Sequence, residues 1–190
     1  MRLRESTSRL LTMTKRDSHT VSRGRGPVPG RVDMSKIRII VVDRTRASFL
    51  KEGEGVYLSR LRNYAPVEWI QVKPAKISKG RNAEEILREE AKEIEHHILP
   101  RDYLIALDRT GRQYDSEELA GWLDGLLGKA AGTLSFVIGG PLGLSRQIIS
   151  QAKGVLSLSM LTLTHEMTRL ILLEQLYRAF TILRGEKYHK

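Results

Sequence analysis

"FVIGGPLGLS", Phe136 to Ser145, is an apolar run that stops at two glycines and restarts as a helix two residues after a third. A strand handed over to a helix through a glycine turn is a building unit of parallel sheets. Working outward from it, the same alternation runs through the chain. Short β-rich runs lie at Ile37 to Val42, Val67 to Val72, Tyr103 to Leu107, Leu134 to Ile138 and Val155 to Met160, with longer helical patterns between them. "NAEEILREEAKEIEHHI" opens with Asn82 and carries Glu85 three residues on, the spacing of a capping box, with Ile86, Leu87, Ile94 and Ile98 as inward positions. "DSEELAGWLDGLL" repeats the device with Asp115 and Glu118. Strict alternation predicts an α/β fold, a mostly parallel sheet with helices on both faces, because each parallel crossover needs a connection long enough to hold a helix.

A chain of 190 residues suits one domain plus a tail. Residues 34–190 carry the strand and helix patterns. Residues 1–33 are rich in Ser, Thr and Arg, end in "SRGRGPVPGRVD", and are expected to form a disordered N-terminal extension. A mis-assigned start, an RNA-gripping tail and a transit peptide are the open readings of that leader. The net charge of +10 points toward a polyanion. The leader holds eight Lys or Arg against three acids, so half of the excess belongs to the body. The absence of cysteine excludes disulfides, thiolate metal sites and a cysteine nucleophile, and suits a cytoplasmic location. No apolar stretch approaches the ~20 residues of a membrane span, so no membrane partner is expected.

The glycine turn is the first candidate ligand loop. A phosphate-binding P-loop needs Lys and then Ser or Thr after its last glycine, whereas Leu144 and Ser145 follow Gly143. The dinucleotide fingerprint needs a G-x-G-x-x-G spacing with an acid about 20 residues on, and neither is present. What remains is a turn whose glycines serve backbone geometry alone, or a loop that lets main chain approach a ligand without phosphates. S-adenosylmethionine fits the second description: its adenine can be read by amide groups, and its sulfonium would be repelled by a basic side chain.

"VLSLSMLTLTHEMTRLILLEQLYRAF", residues 155 to 180, gives a strand, a hydroxyl-rich connection and a long helix. The helix is apolar over more than one face, as expected where it is buried on two sides at a subunit interface. Thr164 is placed as its N-cap, with Glu166 in the first turn. Glu174 and Arg178 stand at i,i+4. The chain ends "RGEKYHK".

Together, "FVIGGPLGLS", "LSLSMLTLTHEM", "ILLEQLYRAFTILRGEKYHK" and "IALDRTGRQYDSEELA" resemble the bacterial large-subunit ribosomal RNA methyltransferase H family, small SPOUT-class enzymes that methylate N3 of a pseudouridine in 23S rRNA. The resemblance covers Met34 to Lys190. It implies a C-terminal trefoil knot, a homodimer, and S-adenosylmethionine held by Leu107, by Gly139, and by Leu158, Ser159, Met160, Leu161, Thr162 and Leu163. It implies that Tyr188 and His189 of the C-terminal tail act at the partner subunit's site, His189 assisting deprotonation, and that His165, Arg178 and Lys190 contact the substrate. No metal is implied. At the end of the first strand "VVDRTR" departs from the family, which commonly has a glycine where Asp43 stands.

The RNA partner, 23S rRNA on the ribosome, needs a grip. "VKPAKISKGR", with Lys73, Lys76, Lys79 and Arg81, reads either as a loop for phosphate contacts or as a solvated linker, and Arg109 and Arg112 extend the same surface. His96 and His97 read as surface residues. Two other functions compete: a SPOUT methyltransferase acting on transfer RNA, which predicts an added RNA-binding domain, and a non-catalytic dimeric RNA-binding or ribosome assembly factor that would not bind the methyl donor.

Overall fold

The structure, a computed structural model, describes residues 36–128 and 132–189. The extension read over residues 1–33 lies outside them, as does Lys190. Among the described residues five strands alternate with five helices: β1 (Ile37–Val42), α1 (Ser48–Leu61), β2 (Val67–Val72), α2 (Ala83–Glu95), β3 (Tyr103–Arg112), α3 (Ser116–Leu127), β4 (Leu134–Ile138), α4 (Arg146–Gln151), β5 (Gly154–Leu156) and α5 (His165–Leu183). A 3-10 turn, Lys187–His189, follows. Every strand pair is parallel, in the order β2-β1-β4-β3-β5, which is the α/β architecture expected.

The central strands β1 and β4 are buried along their whole length because both their faces are covered. Alternation along the strands sorts the side chains into two cores. Ile37, Ile39, Val41, Ile105, Phe136 and Ile138 face α1, α3 and α5, while Ile40, Val42, Leu104, Ala106 and Val137 face α2 and α4. This division fixes the winding. Steps toward the β2 edge (β1 to β2, β3 to β4) use α1 and α3 on one face, and steps toward the β5 edge (β2 to β3, β4 to β5) use α2 and α4 on the other. All four crossovers therefore share one hand, as twisted strands require.

α5 lies between α1 and α3 and packs on both. Leu172, Leu173, Leu176, Ala179 and Phe180 are buried within the chain. Much of the apolar width that suggested two-sided burial is thus used by α1 and α3 of the same subunit. Met167, Leu170 and Ile171 remain half-buried.

Two expected elements differ. The strand read over Val155 to Met160 is only Gly154–Leu156. Ser157 donates its N–H to the Arg112 carbonyl (3.0 Å), and the chain then leaves the sheet as a bend. β3 correspondingly runs past Leu107 to Arg112, since both Leu107 and Arg112 pair with Leu156 and the residues between bulge out. The capping box at Asp115 and Glu118 is complete. At α2 only half the device forms, Asn82 accepting from the Glu84 amide (3.0 Å) rather than from Glu85.

Asp43 takes up the turn where the family has glycine by adopting φ 69°. Its carboxylate accepts from the Arg44 amide (2.8 Å) and from Arg46 (2.9 Å), the local bonding that lets Asp tolerate left-handed backbone. Burial raises its pKa, but these contacts outweigh burial and hold the carboxyl below its usual range. Asp43→Val, whose branched side chain resists this φ, is expected to lose about 2 kcal/mol in urea unfolding, while Asp43→Gly stays within about 0.5 kcal/mol of the parent. Equal losses in both would show that the carboxylate, not the backbone, matters.

Candidate methyl-donor cleft

Because all strands run parallel, their C-terminal ends share one edge, the usual ligand edge of such sheets. A cleft of about 640 Å³ opens there, within the size range of small-molecule sites. Its walls are the end of β3 (Leu107 to Arg109), the glycine turn (Ile138 to Gly143), the segment from Leu156 to Thr164, and His165 and Thr168 of α5.

Each wall is held by its own local chemistry. Gly139 runs so close to Gly143 that a Cβ on it would stand 2.1 Å from the Gly143 carbonyl oxygen. Gly143, at φ +83°, closes the turn by donating its N–H to the Gly140 carbonyl (3.0 Å). Ser145 then caps α4, its hydroxyl accepting from the Ile148 amide (3.2 Å). In the opposite wall Gln113 donates to the Ser157 hydroxyl (3.2 Å), Ser157 donates to the Ser159 carbonyl (3.0 Å), and the Ser159 hydroxyl accepts from the Leu161 amide (2.9 Å). The serines thus shape the bend instead of forming a charged pocket. At the start of α5, Thr164 caps the helix through the Met167 amide (3.2 Å), as its position predicted.

Beneath that end lies a buried polar network. Glu166 accepts from the Arg46 and Ala47 amides (3.1 and 3.3 Å), so it serves the start of α1, where Ala47 has no side-chain cap of its own. Arg169, fully buried, donates to Thr45 Oγ1 (2.8 Å) and the Val42 carbonyl (2.5 Å), and Thr45 in turn donates to buried Glu54 (2.6 Å). Burial, followed by the Arg169 charge, pushes the His165 pKa down, so its imidazole is neutral at neutral pH.

The fit to a sulfonium nucleoside follows from these features. The glycine turn brings main chain close and carries no charge, and burial disfavours the charged form of His165, one of the lining residues. The expectation of a site free of cations needs one correction: Asp108 and Arg109 both line the edge of the cleft, one charge of each sign.

Of the eight donor-site positions read from the sequence, the cleft gathers seven: Leu107, Gly139, Leu158, Ser159, Leu161, Thr162 and Leu163. Met160 is not among the lining residues, its side chain being 90 % exposed. His165 lines the cleft. Arg178 and Tyr188 do not. Arg178 pairs with Glu174 (2.5 Å) and lies 5.1 Å above the Tyr188 ring. The Tyr188 hydroxyl meets the Tyr57 hydroxyl (3.2 Å) and donates to the Glu174 carboxylate (3.3 Å), and its ring packs edge-on against Tyr177. Burial, then the bond with Tyr57, pushes the Tyr188 pKa up to about 12. At 1.5 Å per residue, Glu174 and Arg178 lie roughly 14 to 20 Å along α5 from His165. His189 closes the 3-10 turn, and its side chain lies outside the described part.

Lys73, Lys76 and Lys79 are exposed, whereas Arg81 is engaged with Glu89 and the Lys76 carbonyl. His96 is exposed and His97 half-buried. Residues the motifs did not single out also matter. Arg169 stands three, four and seven residues before Leu172, Leu173 and Leu176, and Glu90 lies midway between Ile86 and Ile94. A charge in an apolar row was the available signal for both.

A family model described as predicted SPOUT methyltransferase matches residues 35–189. A protein of Syntrophotalea carbinolica named "Ribosomal RNA large subunit methyltransferase H" is 42 % identical over 154 residues, covering 81 % of this chain and 98 % of the relative. One of the same name from Rubrobacter xylanophilus is 47 % identical over 154 residues, covering 80 % and 96 %. Among solved structures, a probable methylase family protein from Haemophilus influenzae Rd KW20 superposes with TM-score 0.52 at 14 % identity, covering 81 % of this chain and 70 % of that one, a likeness of fold. No helix among the described residues is long and apolar enough to cross a membrane.

Proposed function

Since the chain belongs to the SPOUT methyltransferase family, we propose that it methylates N3 of a pseudouridine in 23S rRNA, using S-adenosylmethionine, as a cytoplasmic homodimer with a C-terminal trefoil knot. The observation that carries the reading is the cleft itself: an uncharged glycine turn and a self-bonded serine bend facing each other across a volume suited to a nucleoside. The ribosomal target rests on the names borne by the full-length relatives.

Bound in the cleft, S-adenosylmethionine would supply an activated methyl group to the imide nitrogen of the base, the N–C bond forming in line as the C–S bond breaks and S-adenosylhomocysteine leaves. The protein's tasks are to hold nucleophile and methyl in line and to let the N3 proton depart. Leu107, Gly139, Leu158, Ser159, Leu161, Thr162 and Leu163 hold the donor. His165, as neutral imidazole, adds no positive charge beside a cationic ligand. Tyr188 and His189 of the partner subunit position the base, His189 assisting deprotonation, and Arg178 and Lys190 contact the RNA. Lys73, Lys76 and Lys79 offer exposed cations for phosphates, contacts that position without specifying sequence.

Incubating the purified protein and labelled methyl donor with ribosomes that lack the modification, then locating the label by mass spectrometry, tests this. The expected result is one labelled pseudouridine in 23S rRNA. Label on transfer RNA, or no donor binding in calorimetry, would overturn the assignment.

A further inference from the structure

Behind the glycine turn lies a carboxyl group that the reaction above does not use. Glu90, on α2, is only 3 % exposed. One of its oxygens, Oε1, accepts the amide of Ala75 (3.3 Å), in the middle of the basic loop between Lys73 and Lys76. The other, Oε2, has no hydrogen-bond partner. Both lie beside the glycine turn: a Cβ added to Gly140 would lie 3.3 Å from Oε2 and 3.4 Å from Oε1. The neighbouring Glu89 holds the same basic loop from outside through Arg81.

We propose that Glu90 is a positioning residue that couples the basic loop to the glycine turn, so that seating the loop on RNA phosphates fixes the turn around the methyl donor. The proposal rests on the function proposed above. Three features support it. A single buried side chain touches two loops assigned to different ligands, which otherwise belong to separate crossovers. A side chain at 140 would meet Glu90 in tighter than ordinary contact, and Gly140 is one of the residues that line the donor cleft. An unpartnered buried oxygen is costly, and among the described residues Glu90 Oε2 and Arg169 Nε are the buried side-chain polar atoms without a partner. Burial, outweighing the Ala75 bond, raises the carboxyl's pKa. The neighbouring charges that add to this are Glu89 and Asp43. Glutamine keeps the shape of the Glu90 side chain and an oxygen that can accept the Ala75 amide, which supplies the conservative variant.

The test is calorimetry of S-adenosylmethionine with the full chain and with E90Q, E90A, G140A and the E90A/G140A double variant, with melting temperatures as the check on folding. E90Q is expected to bind the donor within about threefold of the parent, and E90A and G140A each about tenfold more weakly. Because both substitutions act on the same contact between α2 and the glycine turn, the double variant is expected to bind no more weakly than the worse single variant. Amide exchange of Ala75 should quicken in E90A but not in E90Q, an effect a purely local packing role would not give. E90A binding within twofold of the parent, single effects that multiply in the double variant, or unchanged Ala75 exchange would each overturn the coupling. A parent protein that binds no donor would instead overturn the proposed function.

Discussion

Gly139→Ala is expected to abolish methyl-donor binding while leaving a folded protein. The methyl group it adds would stand 2.1 Å from the Gly143 carbonyl oxygen, 2.3 Å from its carbon and 2.9 Å from the Leu144 nitrogen. All three are backbone atoms, so no rotamer change relieves the contact, and the turn must open by roughly 1 Å to restore ordinary packing. Opening it breaks the bond from the Gly143 amide to the Gly140 carbonyl and moves the main chain of one whole wall. The expected loss of affinity is at least about a hundredfold, or roughly 2.7 kcal/mol. β4 ends at Ile138 and is held by β1 and β3 on either side, so the strain stays at the rim. The melting temperature should fall by only about 5 °C. Calorimetry and thermal unfolding on the same sample separate the two effects, and donor binding within tenfold of the parent would refute this account of the turn.

How far such a site could be read before the coordinates depended on which residues carry local signals. β1, β2 and β4 have the limits their runs rich in branched and aromatic residues indicate, β1 and β4 because strands buried on both faces hold few polar residues, and β2, half-buried at the sheet edge, through Val67, Trp69, Ile70 and Val72. β5 fell short since Ser157 and Ser159 spend their hydroxyls on the chain's own bend, a choice set by Arg112 and Gln113 from a distant segment. Asp43 was visible as an oddity, and its positive φ is the physical content of that oddity. Glu90 and Arg169 were present as single charges in apolar rows. Their partners, Ala75 with Gly140 and Thr45 with Val42, come together only through the crossovers, which no helical period encodes. The same reason hid the placement of the tail. Tyr188 meets Tyr57 across 131 positions of sequence.

Removing Tyr188 to Lys190 is expected to abolish methylation and to leave donor binding within about threefold, because the cleft and the tail stand apart within one subunit. Tyr188 rests on Glu174, Tyr177 and Arg178, well along α5 from the cleft-lining His165. A helix is stiff, so a tail anchored there does not reach its own cleft. On the proposed reading it serves the second copy. This geometry gives a stricter test than truncation alone. The Gly139→Ala chain has a ruined cleft and an intact tail, and the truncated chain has the reverse. Each is inactive by itself. Mixed and allowed to exchange subunits, half of the dimers contain one chain of each kind, and in each of those one cleft faces an intact tail. Activity should return to roughly a quarter of the parent's, as two-fold symmetry requires. If the tail acted within its own subunit, no pairing would reunite cleft and tail and the mixture would stay inactive. Full activity in the truncated protein would remove Tyr188 and His189 from the reaction altogether.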